Sequence, residues 1–367
     1  MVKSIKDHDK HAAAALEAHD HHHHDHDHDG ACGTDMSRRS FFAACGCTML
    51  TVSAAGMGLL AESTRAEAQA GGKLLKVGHL PAGCVSHLLL AKRRGMFAEA
   101  GLNVELTQFN GPAENLQALV AGGVHVMHNP WTTTMAAYGE GTENLRIVGG
   151  SGLAGVELVA REGSVKNVNE FIAAAGKGLR VGTLRLDTLE LVGYGTMSQY
   201  GKSYEDYEMT FFPSMVGMGE ALINGTVDVC CLVQPYAESV VKQANGVYLA
   251  DSNDVWGPEA PDCVITTTSE MIGSDAELLT AYMTVLRKAA AAFYDDFEAA
   301  LDDLQPIYGA PREILAIALK RQSPDPILNE AGASGIRGAM KYLIELGYFK
   351  DNFANTVLDL KYQPGIA

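Results

Sequence analysis

Ala118-Leu119-Val120-Ala121-Gly122-Gly123-Val124-His125-Val126 has a counterpart further along the chain in Ala221-Leu222-Ile223-Asn224-Gly225-Thr226-Val227-Asp228-Val229. Each reads as the end of a helix, a glycine suited to a left-handed C-cap, and then a buried strand. Each strand runs into a proline followed by an aromatic residue, Asn129-Pro130-Trp131 and Gln234-Pro235-Tyr236. A helix–glycine–strand unit that recurs in this way implies two similar α/β halves. In such sheets ligands sit beyond the carboxyl ends of the strands, where helix starts present free N–H groups. Trp131 and Tyr236 both fall at that rim. The alternative is that each proline merely starts a helix and each aromatic belongs to the core.

Outward from these segments the chain alternates β-branched runs with amphipathic stretches. Strands are expected over 75–80, 102–109, 124–128 and 145–149, with helices over 85–100, 112–121 and 132–138 between them. The run 156–161 leaves this unit. A second series follows, with strands over 179–184, 209–212, 227–233 and 246–250 and helices over 189–200, 216–223 and 237–243. The order predicts a parallel sheet wrapped by helices in each half. From Ala276 onward the pattern is helical, over 276–303, 312–320 and 327–346, with no apolar run of membrane length there.

The 367 residues are 47% apolar, enough for a sizeable core. Acidic side chains outnumber basic ones 44 to 28, and no cluster of Lys and Arg offers a nucleic-acid surface. Of the seven cysteines, Cys32, Cys45 and Cys47 lie near the start. The other four, Cys84, Cys230, Cys231 and Cys263, are too sparse for a disulfide scaffold.

The first seventy residues read as an address. Met36-Ser37-Arg38-Arg39-Ser40-Phe41-Phe42 precedes a Gly/Ala-rich apolar run to about residue 61, and a polar stretch ends in Ala68-Gln69-Ala70. Charged, apolar and small-residue regions in that order make an export signal, and the paired arginines resemble a twin-arginine signal. The mature chain is expected to begin near Gly71. Ahead of the arginines, His19 to Asp29 is a His/Asp tract able to chelate Zn²⁺, Ni²⁺ or Cu²⁺. It is removed with the leader, or lies before a true start at Met36.

Several segments resemble the NitT/TauT (aliphatic sulfonate, nitrate and taurine type) periplasmic binding proteins of ABC importers, relatives of pyrimidine-precursor binders. They are Lys76-Val77-Gly78-His79-Leu80-Pro81, Ala91 to Phe97, Ala100 to Leu106, Ala118 to Val126 and Asn224 to Asp228. The resemblance implies an α/β protein of the type II periplasmic-binding-protein fold, with two lobes joined by a two-strand hinge at 156–161 and 263–268. Lobe 1 would comprise 71–160 and 262–367, and lobe 2 161–261. It also implies a small-molecule solute, expected to be organic and anionic or polar on the residues below, and a membrane permease as partner. No cofactor, catalytic residue or nucleic acid is implied, and the chain is expected to act as a monomer. The chain departs from the family at His125, where Asp is common, and in the loop Ala82 to His87.

The rim loops of the first half offer Cys84, Ser86, His87, Asn110, Asn129, Trp131 and Thr132 as solute contacts. The hydroxyls of Ser86 and Thr132 suit helix capping or anion binding equally. The second half offers Thr183, Arg185, Asp187, Thr188, Gln234 and Tyr236. Arg185 can grip a carboxylate, sulfonate or phosphate, or pair with Asp187 or Glu190 on the surface. His79, His125, Met127, His128, Cys230 and Cys231 join Cys84 and His87 as soft or imidazole side chains, and a transition metal or metal complex is the alternative ligand. Their spacing matches no compact metal motif. Cys230-Cys231 also bears a faint likeness to the cysteine cluster of the pyrimidine-synthase enzymes of this fold, a third reading.

Overall fold

A computed structural model describes residues 72–365; the leader, its His/Asp tract and Cys32, Cys45 and Cys47 lie outside the described residues. Strands β1 (Leu74–His79), β2 (Asn103–Gln108), β3 (Val126–Pro130) and β4 (Leu145–Gly150) come first, with helices Ser86–Arg93, Pro112–Val120 and Trp131–Gly139 between them. The chain then crosses through a short β5 (Gly152–Ala154) into β6 (Val156–Ala160). Next come β7 (Arg180–Thr183), β8 (Glu208–Phe211), β9 (Val229–Val233) and β10 (Val247–Asp251), with helices Thr188–Gln199, Met215–Ile223 and Tyr236–Gln243. It returns through β11 (Cys263–Thr268) and ends in helices, with β12 (Gln322–Pro324) between two of them.

Two five-stranded sheets result, ordered β2-β1-β3-β11-β4 and β10-β6-β9-β7-β8. Their layouts correspond. In each, three strands are parallel (β2, β1, β3 and β8, β7, β9), and a fourth lies antiparallel beside them. The fourth is β11 in the first sheet and β6 in the second. The wholly parallel sheets expected from the sequence are therefore mixed. A parallel neighbour needs a long crossover with a helix, whereas β6 and β11 arrive directly from the other sheet through short segments. The two segments expected as hinge strands are these inserted strands, one in the interior of each sheet. Strands β3 and β6 are buried along their whole length, with the polar side chains of His128, Asn129 and Glu157 among the buried ones.

The repeated glycines do the same work twice. Gly122 and Gly225 have φ of 73° and 77°. Gly123 N–H donates to Ala118 C=O at 2.7 Å and Thr226 N–H to Ala221 C=O at 2.8 Å, closing the same helix end in both halves. Two helices break where the sequence pattern ran on. The stretch 85–100 divides at Gly95 (φ 72°), and 276–303 divides at Asp296, whose carboxylate accepts from Ala299 N–H at 3.0 Å and starts helix Phe297–Tyr308. The preceding helix, Ser269–Asp295, is kinked at Asp275 (φ −144°, ψ 37°): a short segment capped by Thr268 comes first, and the long helix runs from Ala276 as expected.

One core packs helices Ser86–Arg93, Ser269–Asp295 and Phe297–Tyr308 on the first sheet. A second fills the space around the second sheet and takes in Trp131 and helix Glu330–Glu345. That C-terminal helix packs on Thr188–Gln199 and Ser252–Trp256, beside the second sheet, while Ser269–Asp295 packs on the first, so the helical tail touches both. Among the described residues no helix is long and apolar enough to cross a membrane.

A methyl group at Gly122 would meet nothing, whereas one at Gly155 (φ 75°), on the crossing, would run into the Gln322 side chain. Gly122→Ala should therefore lower stability by about 1 kcal/mol, the conformational penalty alone. Gly155→Ala should cost clearly more in the same urea titration. Equal losses would show that the crossing does not constrain the chain at Gly155.

Candidate ligand-binding site

The carboxyl ends of β1 and β3 in the first sheet, and of β7 and β9 in the second, all lead into helix starts. After β1 a 3-10 turn, Gly83–Val85, precedes helix Ser86–Arg93, while β3 passes straight into Trp131–Gly139. Neither helix has a side-chain N-cap. After β7, Asp187 caps helix Thr188–Gln199 by accepting from Leu189 N–H at 3.0 Å. After β9 the Gln234–Pro235 bond is cis and Tyr236 opens the next helix.

These ends are drawn together around the second crossing. Asp262 accepts from Thr188 Oγ1 at 2.7 Å and from Gln322 Nε2 at 2.8 Å, and its carbonyl accepts from Trp131 N–H at 3.2 Å. Gln322 Oε1 accepts from Cys84 N–H at 3.0 Å, and Gly83 N–H donates to the Gln234 carbonyl at 2.9 Å. Cys84, Asp187, Thr188, Asp262, Cys263 and Gln322 are all buried. Burial pushes the Asp262 carboxyl up to about 7, against the lowering effect of the Thr188 hydrogen bond. The neighbouring Asp187 charge adds to the rise, and Asp187 itself is raised by burial.

Imidazoles line the first-sheet side. His128 lies between Ser151 Oγ (2.6 Å) and Tyr282 OH (2.7 Å), with its ring 5.8 Å from that of His87. Burial drives His87 down to about 3 and lowers His79 and His128, so all three are neutral at physiological pH. Both ring nitrogens of His87 are buried with no hydrogen-bond partner, and so are Trp131 Nε1 and Thr132 Oγ1. These atoms belong to the two uncapped helices that follow the adjacent parallel strands β1 and β3.

Of the residues singled out in the sequence, Cys84, His87, Trp131, Thr132, Asp187 and Thr188 fall in or beside this interior. Ser86 bonds Gly83 C=O and Tyr308 OH, and Asn129 is fixed by Asn115 and Pro112. Thr183 leans on the Leu184 and Leu189 carbonyls. Gln234 is buried but spent on Glu157, Tyr248 and Glu238. Three residues stand elsewhere. Asn110 is exposed. The Tyr236 hydroxyl donates to Val216 C=O at 3.1 Å, against Gly219. Arg185 is exposed, with its guanidinium 3.7 Å over the Phe211 ring and a long bond to Tyr348 OH.

Among the soft side chains, Cys230 and Cys231 are buried in β9 against Gly182 and Gly193, and Met127 is core. His125 accepts from Lys76 N–H at the opposite end of β3, beside a surface depression shared with Lys73 and Asp275. Trp256, Asp262, Cys263, Ser151, Tyr282 and Gln322 were not read from the sequence as site residues. Each reaches the interior through the crossings or the helical tail, which no local pattern reveals.

Since His87 stays neutral far below its ordinary value of 6.5, only the unfolded chain takes up its proton as the pH falls. The stability this group confers is full above about pH 6.5 and declines toward pH 3. The urea midpoint of the wild type should therefore fall relative to that of His87→Gln as the pH is lowered from about 7 to about 4. A constant gap would mean that His87 is not held neutral.

The chain matches the NMT1-like family over residues 68–302, well over half of its length. No curated protein matches it significantly. Among solved structures, a ligand-binding component of an ABC-type import system from Staphylococcus aureus, with zinc bound, has a TM-score of 0.70 at 17% identity, over 81% of this chain and 99% of that one. The periplasmic aliphatic sulphonate binding protein of Escherichia coli gives 0.67 at 16%, over 80% and 94%. The periplasmic nitrate-binding protein of Synechocystis gives 0.64 at 14%, over 78% and 86%. The architecture is thus the periplasmic-binding-protein fold. The chain belongs to the NMT1-like family.

Proposed function

We propose that this chain is the extracytoplasmic solute-binding component of an ABC importer, acting as a monomer that captures one small polar organic molecule and presents it to a membrane permease. The observation that carries the reading is the set of unpartnered polar atoms on His87, Trp131 and Thr132, buried where two strand ends meet the crossing. An unsatisfied buried polar group costs about 1–3 kcal/mol, so such a cluster makes sense as the binding surface for a solute that supplies the missing partners. The solute would lie between lobes formed by 71–160 with 262–367 and by 161–261, closing them as it binds.

The interior does not favour an anion. No Lys or Arg is among the buried described residues, whereas Asp187 and Asp262 are. A neutral or proton-donating solute fits these groups better than the sulfonate or carboxylate that Arg185 brought into view. Catalysis is also disfavoured. Burial pushes the thiols of Cys84, Cys230, Cys231 and Cys263 upward, away from the thiolate that a nucleophile needs. Export would follow from the paired arginines of the leader.

Native mass spectrometry of protein purified from its own host should show a retained organic mass. With that compound in hand, Thr132→Val and Trp131→Phe should each weaken binding by about fivefold to tenfold, the loss of one hydrogen bond, without unfolding the chain. Arg185→Ala should bind within about twofold of wild type, since its guanidinium is occupied at the surface. Unchanged affinity in the first two variants, or a large loss in the third, would move the site elsewhere. Separately, replacing Arg38 and Arg39 by Lys should trap precursor in the cytoplasm; mature protein still found outside would rule out the twin-arginine route.

A further inference from the structure

Two thiols and a carboxyl meet in the same interior with no basic side chain among them. Cys84 Sγ, Cys263 Sγ and a carboxylate oxygen of Asp262 lie within 4.8 Å of one another, and all three residues are buried. They come from different parts of the chain: the 3-10 turn after β1, the end of the second crossing and the first residue of β11. We propose that Cys84, Asp262 and Cys263 form a transition-metal site, best matched to Zn²⁺, beside the solute contacts on His87, Trp131 and Thr132.

Sulfur, sulfur and oxygen are a donor set that suits zinc. A tetrahedral site with Zn–S bonds of about 2.3 Å needs its sulfurs about 3.8 Å apart, and the donor atoms here all lie within 4.8 Å of one another. The surroundings hold the donors as an outer shell would. Thr188 Oγ1 and Gln322 Nε2 each donate to one oxygen of Asp262, fixing its carboxylate plane. The other end of the Gln322 amide holds the Cys84 backbone N–H, and Ser151 Oγ donates to the Cys84 carbonyl at 3.1 Å. A methyl group at Gly152 would come within 2.5 Å of Cys84, so only glycine lets the crossing lie against this residue.

Without a cation, burial keeps both thiols protonated and raises the carboxyl. Zn²⁺ entry forms two Zn–S bonds and one Zn–O bond and releases the thiol protons, with any proton on Asp262, to solvent. Water fills the fourth tetrahedral position. Metal held here would fasten the turn after β1 to the second crossing, through Asp262 to helix Thr188–Gln199.

The test uses Co²⁺ as probe on the reduced full chain with Cys32, Cys45 and Cys47 replaced by Ser, so that sulfur outside residues 72–365 is silent. In the same chain the histidines from His19 to His28 are replaced by Asn, so that the His/Asp tract, a chelating pattern in the sequence, takes up no Co²⁺. We expect such a band to saturate at one Co²⁺ per chain and to vanish in Cys84→Ser and Cys263→Ser. Asp262→Asn should retain the band with affinity lowered at least about tenfold, as loss of one ligand does. X-ray absorption at the cobalt edge of the parental protein, which needs no site variant to fold, should find two sulfur neighbours. The proposal is overturned by a band that survives both cysteine substitutions, by no band at all, or by a cobalt shell of nitrogen and oxygen only. It is equally overturned if the native protein carries a Cys84–Cys263 disulfide that must be reduced before any metal binds.

Discussion

Asp262 joins three stretches of chain that share no local sequence. Its two oxygens accept from Thr188, at a helix start of the second sheet, and from Gln322, in the helical tail. Its own carbonyl takes the first N–H of the helix that follows β3. A carboxyl buried so deeply is tolerated only because each oxygen is met by a donor. The same residue begins the return into the first sheet, so the point where the chain crosses back is also the point where the strand ends converge. The interior chemistry and the topology are one arrangement.

That topology rests on an exchange. Each sheet completes itself with an antiparallel strand that arrives from the other, β6 in one direction and β11 in the other. A second buried acid marks the outward strand. Glu157, wholly buried in β6, is gripped by both arms of the Arg321 guanidinium, which also lies 3.8 Å over the Tyr248 ring. Burial raises this carboxyl while the Arg321 guanidinium and its hydrogen bonds oppose the rise. The helical tail thus reaches both crossings, through Arg321 at one and Gln322 at the other.

The internal repeat is faithful in backbone and unfaithful in side chains. Both glycine-capped helices, both strands and both Pro-aromatic helix starts recur. Trp131 is nevertheless buried against Trp256, edge to face at 6.4 Å, with its indole N–H unpartnered, while Tyr236 is used up bracing the preceding helix of its own layer. A repeated scaffold places two residues at equivalent rims without making them equivalent contacts, because each side chain faces the packing of its own half. Arg185 shows the same limit. It follows a strand and precedes a helix, as an anion-gripping arginine would, yet Phe211 and Tyr348 hold it at the surface.

By itself the sequence determined the α/β class, the order and extent of most elements, the doubling of the unit and the family to which the chain belongs. These follow from local causes: apolar runs long enough for buried strands, glycines at helix ends, prolines at helix starts. It also pointed to Cys84, His87, Trp131, Thr132, Asp187 and Thr188, since position after a strand is a local property too. The tertiary structure alone decided that both sheets are mixed and that Asn110, Arg185 and Tyr236 lie apart from the interior. It alone brought Asp262, Cys263 and Gln322 to Cys84. Gln322 meets Asp262 across 60 residues and Cys84 across 238, and these contacts are set by strand exchange between sheets, which no periodicity in either partner records.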